Sequence, residues 1–286
     1  MTDVDQSPTE PTEAGEPDGS GADDQASAGA AAPRPSDVPE ELAGYLPPPE
    51  MYAGGGTEQF PVHLGYAVDI VFVIDITGSM TPVIDQVKAG ALTFHDRLLQ
   101  VMRHKDKYVS RLRLRVIAYR DYYDNASDAM FETPFFELPD EADRFTVYVS
   151  GLFADGGGDE PESGLEALAL ALESDWERGL DRRRHVVVLF TDASAHPLES
   201  SHSHLVPGYP STIPTTFDGL TDLWDDPQGK VMEYAAKRLL LYAPDTYPWN
   251  IMSANWDNVL HYPSRAGQGL SEVEFSEIID SIAGSV

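Results

Sequence analysis

The sequence predicts a single doubly wound α/β domain, with a mostly parallel central sheet flanked by helices, behind an acidic disordered tail. Three observations carry that expectation. From Tyr66 onward, short apolar runs alternate with segments of helical apolar spacing, the pattern of a parallel sheet covered on both faces. One of these runs, His185 to Phe190 (HVVVLF), is almost uninterrupted, as a strand buried on both sides requires. Residues 1–50 instead hold twelve acids, one base (Arg34) and one aromatic (Tyr45), too little apolar surface to offset the entropy of ordering. The expected division is a Pro/Ala/Gly-rich tail over 1–58 and a folded domain over 59–286.

The first strand is read at Ala67 to Ile74. A helix over Pro82 to Met102 follows, with Val83, Ile84, Val87, Ala91, Phe94, Leu98 and Val101 near helical spacing. Leu112 to Tyr119 alternates apolar and charged residues as an edge strand would, and a short strand is expected near Phe131 to Leu138. A helix over Glu141 to Gly151 leads into Gly156-Gly157-Gly158, and Pro161 precedes a further helix, Glu162 to Glu173. After the HVVVLF strand, a polar insertion (Ala195 to Gln228) interrupts the alternation. A helix (Lys230 to Leu241), a strand (Trp249 to Ala254) and a last helix (Ser271 to Ile282) are read beyond it.

Composition removes several function classes. With 48 acidic and 19 basic residues, the formal charge of −29 disfavours nucleic acid and anionic membrane surfaces and favours cations and basic partners. There are no cysteines, so disulfides, thiolate metal sites and cysteine nucleophiles are excluded, and a reducing, cytoplasmic setting is expected. The N-terminus has neither the basic nor the apolar part of a signal peptide, and no apolar run approaches the roughly 20 residues of a membrane span.

Functional loops of open α/β sheets gather beyond the carboxyl ends of the strands. The predicted strand ends deliver oxygen there repeatedly: Asp75, Thr77 and Ser79 after the first strand, Arg120-Asp121 after the second, and Asp159, Glu160 and Glu162 in the glycine loop. Thr191-Asp192 ends HVVVLF, and Asn255 and Asp257 follow the strand read at 249–254. So many acids at one rim repel one another unless a cation sits among them, and hydroxyl and carboxylate donors suit Mg²⁺, Mn²⁺ or Ca²⁺.

The stretch Asp69-Ile70-Val71-Phe72-Val73-Ile74-Asp75-Ile76-Thr77-Gly78-Ser79-Met80 resembles the opening of a von Willebrand factor type A (vWA) domain. Tyr119-Arg120-Asp121, Gly157-Gly158-Asp159-Glu160-Pro161-Glu162 and Leu189-Phe190-Thr191-Asp192-Ala193-Ser194 follow in the family's order, most like its hemicentin-related and bacterial intracellular branch. The resemblance spans roughly residues 66–285. It implies a Rossmann-like vWA fold and a metal-ion-dependent adhesion site that holds Mg²⁺ with Asp75, Thr77 and Ser79, while Asp192 reaches the ion through water. The family's usual threonine of the second loop is missing, and Asp159, or Glu162 behind it, stands in its place. The resemblance further implies a non-enzymatic module whose partner protein completes the metal site with an acidic side chain. A metal-dependent phosphate-ester hydrolase and a scaffold with a vestigial metal site are the alternatives.

Local structural roles compete with these. Thr77, Ser79 and Thr81 are good N-cap residues, Asp192 could end a strand in a turn, Asp159 could complement a helix dipole, and Asp121 could pair with Arg120 or Tyr122. His196, His202 and His204 read as solvated loop rather than zinc ligands. Arg178 and Arg182 to Arg184 read as a charged helix-to-strand connection.

Overall fold

The computed structural model describes residues 65–124, 126–158, 160–179, 182–200, 205–264 and 280. The expected tail, the helix read at Ser271 to Ile282 apart from position 280, Asp159, His202 and His204 lie outside the described residues. Everything described belongs to one unit of the chain, Phe60–Val286.

The first strand, β1 (Tyr66–Asp75), is buried along its whole length. Its Ile70, Phe72 and Ile74 enter one apolar core and its Val71 and Val73 a second, so each side of the pleat is covered. A 3₁₀ turn (Gly78–Met80) then opens α1 (Thr81–His104), with Pro82 in its first turn, where a missing N–H costs nothing. The α1 face made by Val83, Ile84, Val87, Ala91, Phe94, Leu98 and Met102 packs into the first core, and the Phe94 ring meets Phe72 edge-on at 5.4 Å. The chain continues through β2 (Val109–Tyr119), β3 (Met130–Glu132), β4 (Phe136–Leu138), α2 (Ala142–Gly151), α3 (Gly164–Leu172), β5 (Arg182–Phe190), α4 (Phe217–Trp224), β6 (Lys237–Pro244), α5 (Trp249–Asn255) and β7 (Val259–Ser264).

The sheet runs β3-β2-β1-β5-β6-β7, with β4 also paired to β2. Strands β1, β2, β5, β6 and β7 are parallel, and β3 and β4 add antiparallel pairing at one edge. The doubly wound, mostly parallel architecture is therefore as the sequence predicts. The register places Asp75 opposite Tyr119 and Ile74 opposite Phe190, so the loops leaving β1, β2 and β5 emerge level at one end.

Four readings need correction. Strand β2 is interior, because β3 and β4 cover its far side, and its charged face is neutralised: Arg113 clamps Asp69 at 2.8 and 2.6 Å, and Arg111 reaches Glu137 and Glu177. The strand expected near 131–138 is two short pieces, β3 and β4, separated by Thr133, Pro134 and Phe135. The helix and strand read after the insertion are exchanged: Lys237–Pro244 is strand β6 and Trp249–Asn255 is helix α5. The run Leu239-Leu240-Leu241 carries no period, and burial on both sheet faces decides its form. Asn255 therefore ends a helix, and Asp257 follows it rather than a strand. Finally, the insertion is not simply polar loop, since Leu198, Ile213, Leu220 and Trp224 join the second core through α4 and the segment before it.

Candidate functional site

Asp75, the last residue of β1, is fully buried and accepts three hydrogen bonds. Its Oδ1 takes the Thr77 amide at 2.9 Å and the Thr77 hydroxyl at 2.6 Å, and its Oδ2 takes the Thr191 hydroxyl at 2.7 Å. Thr77 Oγ1 lies 3.2 Å from Ser79 Oγ, and Ser79 Oγ donates to Asp192 Oδ1 at 2.9 Å. The residues leaving β1 and β5 thus form one continuous chain of oxygens, with Ser79 and Asp192 meeting across 113 positions of sequence.

The glycine loop closes over this chain. Gly78 donates to the Gly156 carbonyl at 2.8 Å and Asp155 to the Ile76 carbonyl at 2.9 Å. Gly157 has φ +73°, the left-handed region, and a Cβ there would stand 2.9 Å from both Glu162 Oε1 and Thr77 Cβ. Glycine is required by conformation and by space, and the same geometry brings Glu162 against Thr77. The Glu162 backbone is fixed from the other side: its amide donates to Ser194 and its carbonyl accepts from His196, pairing the loop with the exit of β5.

Three buried carboxylates therefore lie together, and among the described residues no lysine or arginine forms an ion pair with them. Burial pushes Asp75 up to about 6 in spite of the opposing Thr77 and Thr191 hydrogen bonds. Burial first, then the charges of Asp75, Asp121, Asp124 and Asp192, pushes Glu162 up to about 9. Asp192 is also raised by burial. Glu162 Oε2 and Asp192 Oδ2 are buried without a hydrogen-bond partner among the described residues. Orphaned acceptors of this kind cost free energy and call for an ordered water or an ion. Among the described residues no group of three or more His, Asp or Glu side chains stands at metal-ligand spacing. The donors collected here are of mixed type, two hydroxyls with carboxylates, which suits a hard cation such as Mg²⁺.

Of the sequence-predicted residues, Asp75, Thr77, Ser79 and Asp192 are brought together, Glu162 joins them, and Asp159 lies outside the described residues. Asp121 has a structural role with partners other than those expected. Its Oδ1 accepts from the Ser163 hydroxyl at 3.0 Å and the Tyr123 amide at 3.2 Å, and lies 3.3 Å from His196 Nε2. His196 Nε2 meets no hydrogen-bond geometry there. His196 is half-buried rather than a solvated loop residue, and it stacks on Tyr123 with centroids 4.1 Å apart. Arg120 is buried with its guanidinium over the Phe131 and Phe153 rings.

Sequence reasoning missed Glu166, which is fully buried in α3, has Oε2 unpartnered among the described residues and is pushed up to about 7 by burial. A lone acid inside Gly-Leu-Glu-Ala-Leu-Ala-Leu-Ala-Leu was the available signal.

Residues 69–204 match the family model described as von Willebrand factor A domain. The alpha-protein kinase vwkA of Dictyostelium discoideum is 29% identical over 159 residues, which cover 54% of this chain and 23% of that one. Among solved structures, the pilus adhesin SpaC from Lactobacillus rhamnosus GG aligns with TM-score 0.45 and 13% identity, over 77% of this chain and 30% of that one. The vWF domain of the type V pili tip protein Mfa5 from Porphyromonas gingivalis aligns with TM-score 0.30 and 18% identity, over 45% of this chain and 38% of that one. The chain spans less than two fifths of each of these relatives.

Proposed function

We propose that the chain is a metal-ion-dependent protein-binding module of the von Willebrand factor A type, acting in the cytoplasm as part of a bacterial protein assembly; the match of residues 69–204 to that family model supports this reading. Thr77, Ser79 and Asp75 would hold Mg²⁺ from the β1 loop and Asp192 from the end of β5. Glu162 takes the place of the missing threonine, with Asp159 as the other candidate from the same loop. The ion supplies a Lewis-acidic position that an acidic side chain of a partner protein can occupy. The chain's own residues fix the donors: Thr191 and the Thr77 amide orient Asp75, Gly157 admits Glu162, and Ser79 links to Asp192.

The observation that carries this reading is the convergence of the buried Asp75, Glu162 and Asp192, all raised by burial, with two carboxylate oxygens that lack partners among the described residues. Calorimetric titration with Mg²⁺ and Mn²⁺ tests it. Saturable binding by the wild type, abolished in Asp75→Ala and weakened in Ser79→Ala, is expected. No heat and no rise in melting temperature would leave a vestigial site, and turnover of phosphate esters lost in Asp75→Ala would replace the module by a hydrolase.

A further inference from the structure

Glu166 is an ionisable side chain placed where water does not reach. It stands on α3, all nine of whose residues are buried, and is itself 0% exposed. Its Oε1 takes one long hydrogen bond, from the Tyr209 hydroxyl at 3.5 Å, and its Oε2 takes none among the described residues. The titratable groups that face it there are Asp121 and Tyr122 from the turn after β2, and His196 and Tyr209 from the insertion. His196, the one basic side chain of that set, and the Tyr209 hydroxyl favour a negative charge on Glu166. Burial and the charge of Asp121 oppose it and prevail, so the carboxyl is pushed up to about 7.

The cover over this carboxyl is thin. Tyr209 packs its ring against Tyr122 with centroids 5.0 Å apart. Of residues 205–213 Ile213 alone is buried; the others are half-buried or exposed, and Leu205 is 78% exposed. Backbone hydrogen bonds in the segment close local turns, from the Tyr209 amide to the Val206 carbonyl and from the Ile213 amide to the Pro210 carbonyl. Both flanks are anchored, by Leu198 before it and by Leu220 and Trp224 of α4 after it, all in the second core. A segment with few buried apolar side chains between fixed ends belongs to the part of a fold that opens most readily.

We propose that residues 205–213 are a pH-released cover: protonated Glu166 keeps the segment closed on α3, and ionised Glu166 favours lifting it so that water reaches the carboxylate. The driving force is the difference between the two states. Closed, the carboxylate is desolvated and faces Asp121; open, it is hydrated like an ordinary glutamate. The open state therefore binds fewer protons, and closure is firmest in acid and weakens as pH rises. Between 4.5 and about 7 the opening constant grows about tenfold per pH unit, roughly 300-fold in all, and levels off above. Opening uncovers Tyr122 and a face of α3 only four residues along the chain from Glu162, so it remodels the surface beside the carboxylate pocket.

The test is independent of the metal reading, because it is run with the full chain in EDTA at constant ionic strength. The chain has no cysteine and Ile213 is buried, so Ile213→Cys supplies a single thiol under the cover. Its labelling by dithiodipyridine, divided by the rate for glutathione at the same pH, reports opening. The ratio should rise about 100-fold or more from pH 4.5 to 7 when Glu166 is present, and stay within about twofold in Glu166→Gln, which keeps the shape and cannot ionise. Hydrogen exchange in the chain without the thiol is the second measurement: the Ile213 amide should show the same rise, and exchange well ahead of the Phe94 and Leu98 amides of α1. The proposal is overturned if labelling is flat in both backgrounds, if Glu166→Gln rises as its parent does, or if Ile213 exchanges no faster than α1, which makes the event global unfolding.

Discussion

Replacing Glu162 by glutamine isolates the strain in the carboxylate pocket. Glu162 is raised from 4.5 to about 9, so without metal it keeps its proton in the folded protein at neutral pH and loses it on unfolding. The unfolded state then binds fewer protons, and stability falls as pH rises from 4.5 towards 9. Each pH unit in that window is worth about 1.4 kcal/mol, so by pH 7 the penalty from this residue is on the order of 3 kcal/mol. Asp75, raised to about 6, adds a second loss, complete once pH passes 6. Glutamine keeps the shape and cannot ionise. Glu162→Gln should therefore be more stable than wild type in EDTA by up to about 3 kcal/mol at pH 7, with the advantage growing between pH 6 and 8.5. Urea unfolding at half-unit pH steps measures it, and the difference between the two proteins cancels the groups they share. A constant difference across that range, or a wild-type stability that climbs relative to the variant, would refute the placement of Glu162 among buried acids.

Adding Mg²⁺ should reverse the trend in the wild type, because the ion favours the ionised carboxylates: affinity should rise with pH and binding should release protons, seen as a dependence of calorimetric heat on buffer ionisation enthalpy. Gly157→Ala should cost about 1–3 kcal/mol, from its φ of +73° and the contact with Glu162 and Thr77, and should weaken Mg²⁺ binding as well; thermal melts with and without the ion separate the two effects. Thr191→Val removes the hydroxyl that donates to Asp75 Oδ2 and should cost about 1–3 kcal/mol by denaturant unfolding without abolishing the fold. Phe94→Ala, far from the pocket in the first core, should cost about 3–5 kcal/mol and leave the Mg²⁺ affinity of the folded fraction unchanged.

The amino-acid sequence by itself determined the features that are local in chain distance. The apolar runs of β1 and β5 read as buried strands, the 3.6-residue spacing of α1 read as a helix, and Asp75, Thr77 and Ser79 read as one loop because two-residue spacing after a strand places them together. Tertiary structure decided what depends on partners far along the chain. Leu239-Leu240-Leu241 fits helix or strand equally until β5 and β7 flank it and close its backbone hydrogen bonds. Arg111 and Arg113 suggested an exposed edge until Asp69, Glu137 and Glu177 covered them. The acidity of the pocket is likewise a property of assembly: Glu162 becomes a reluctant acid because desolvation and the fields of Asp75, Asp121, Asp124 and Asp192 add in one place. Desolvation and Coulomb energy depend on three-dimensional neighbours, and a sequence states residue types and spacings but not which of them will share a low-dielectric volume.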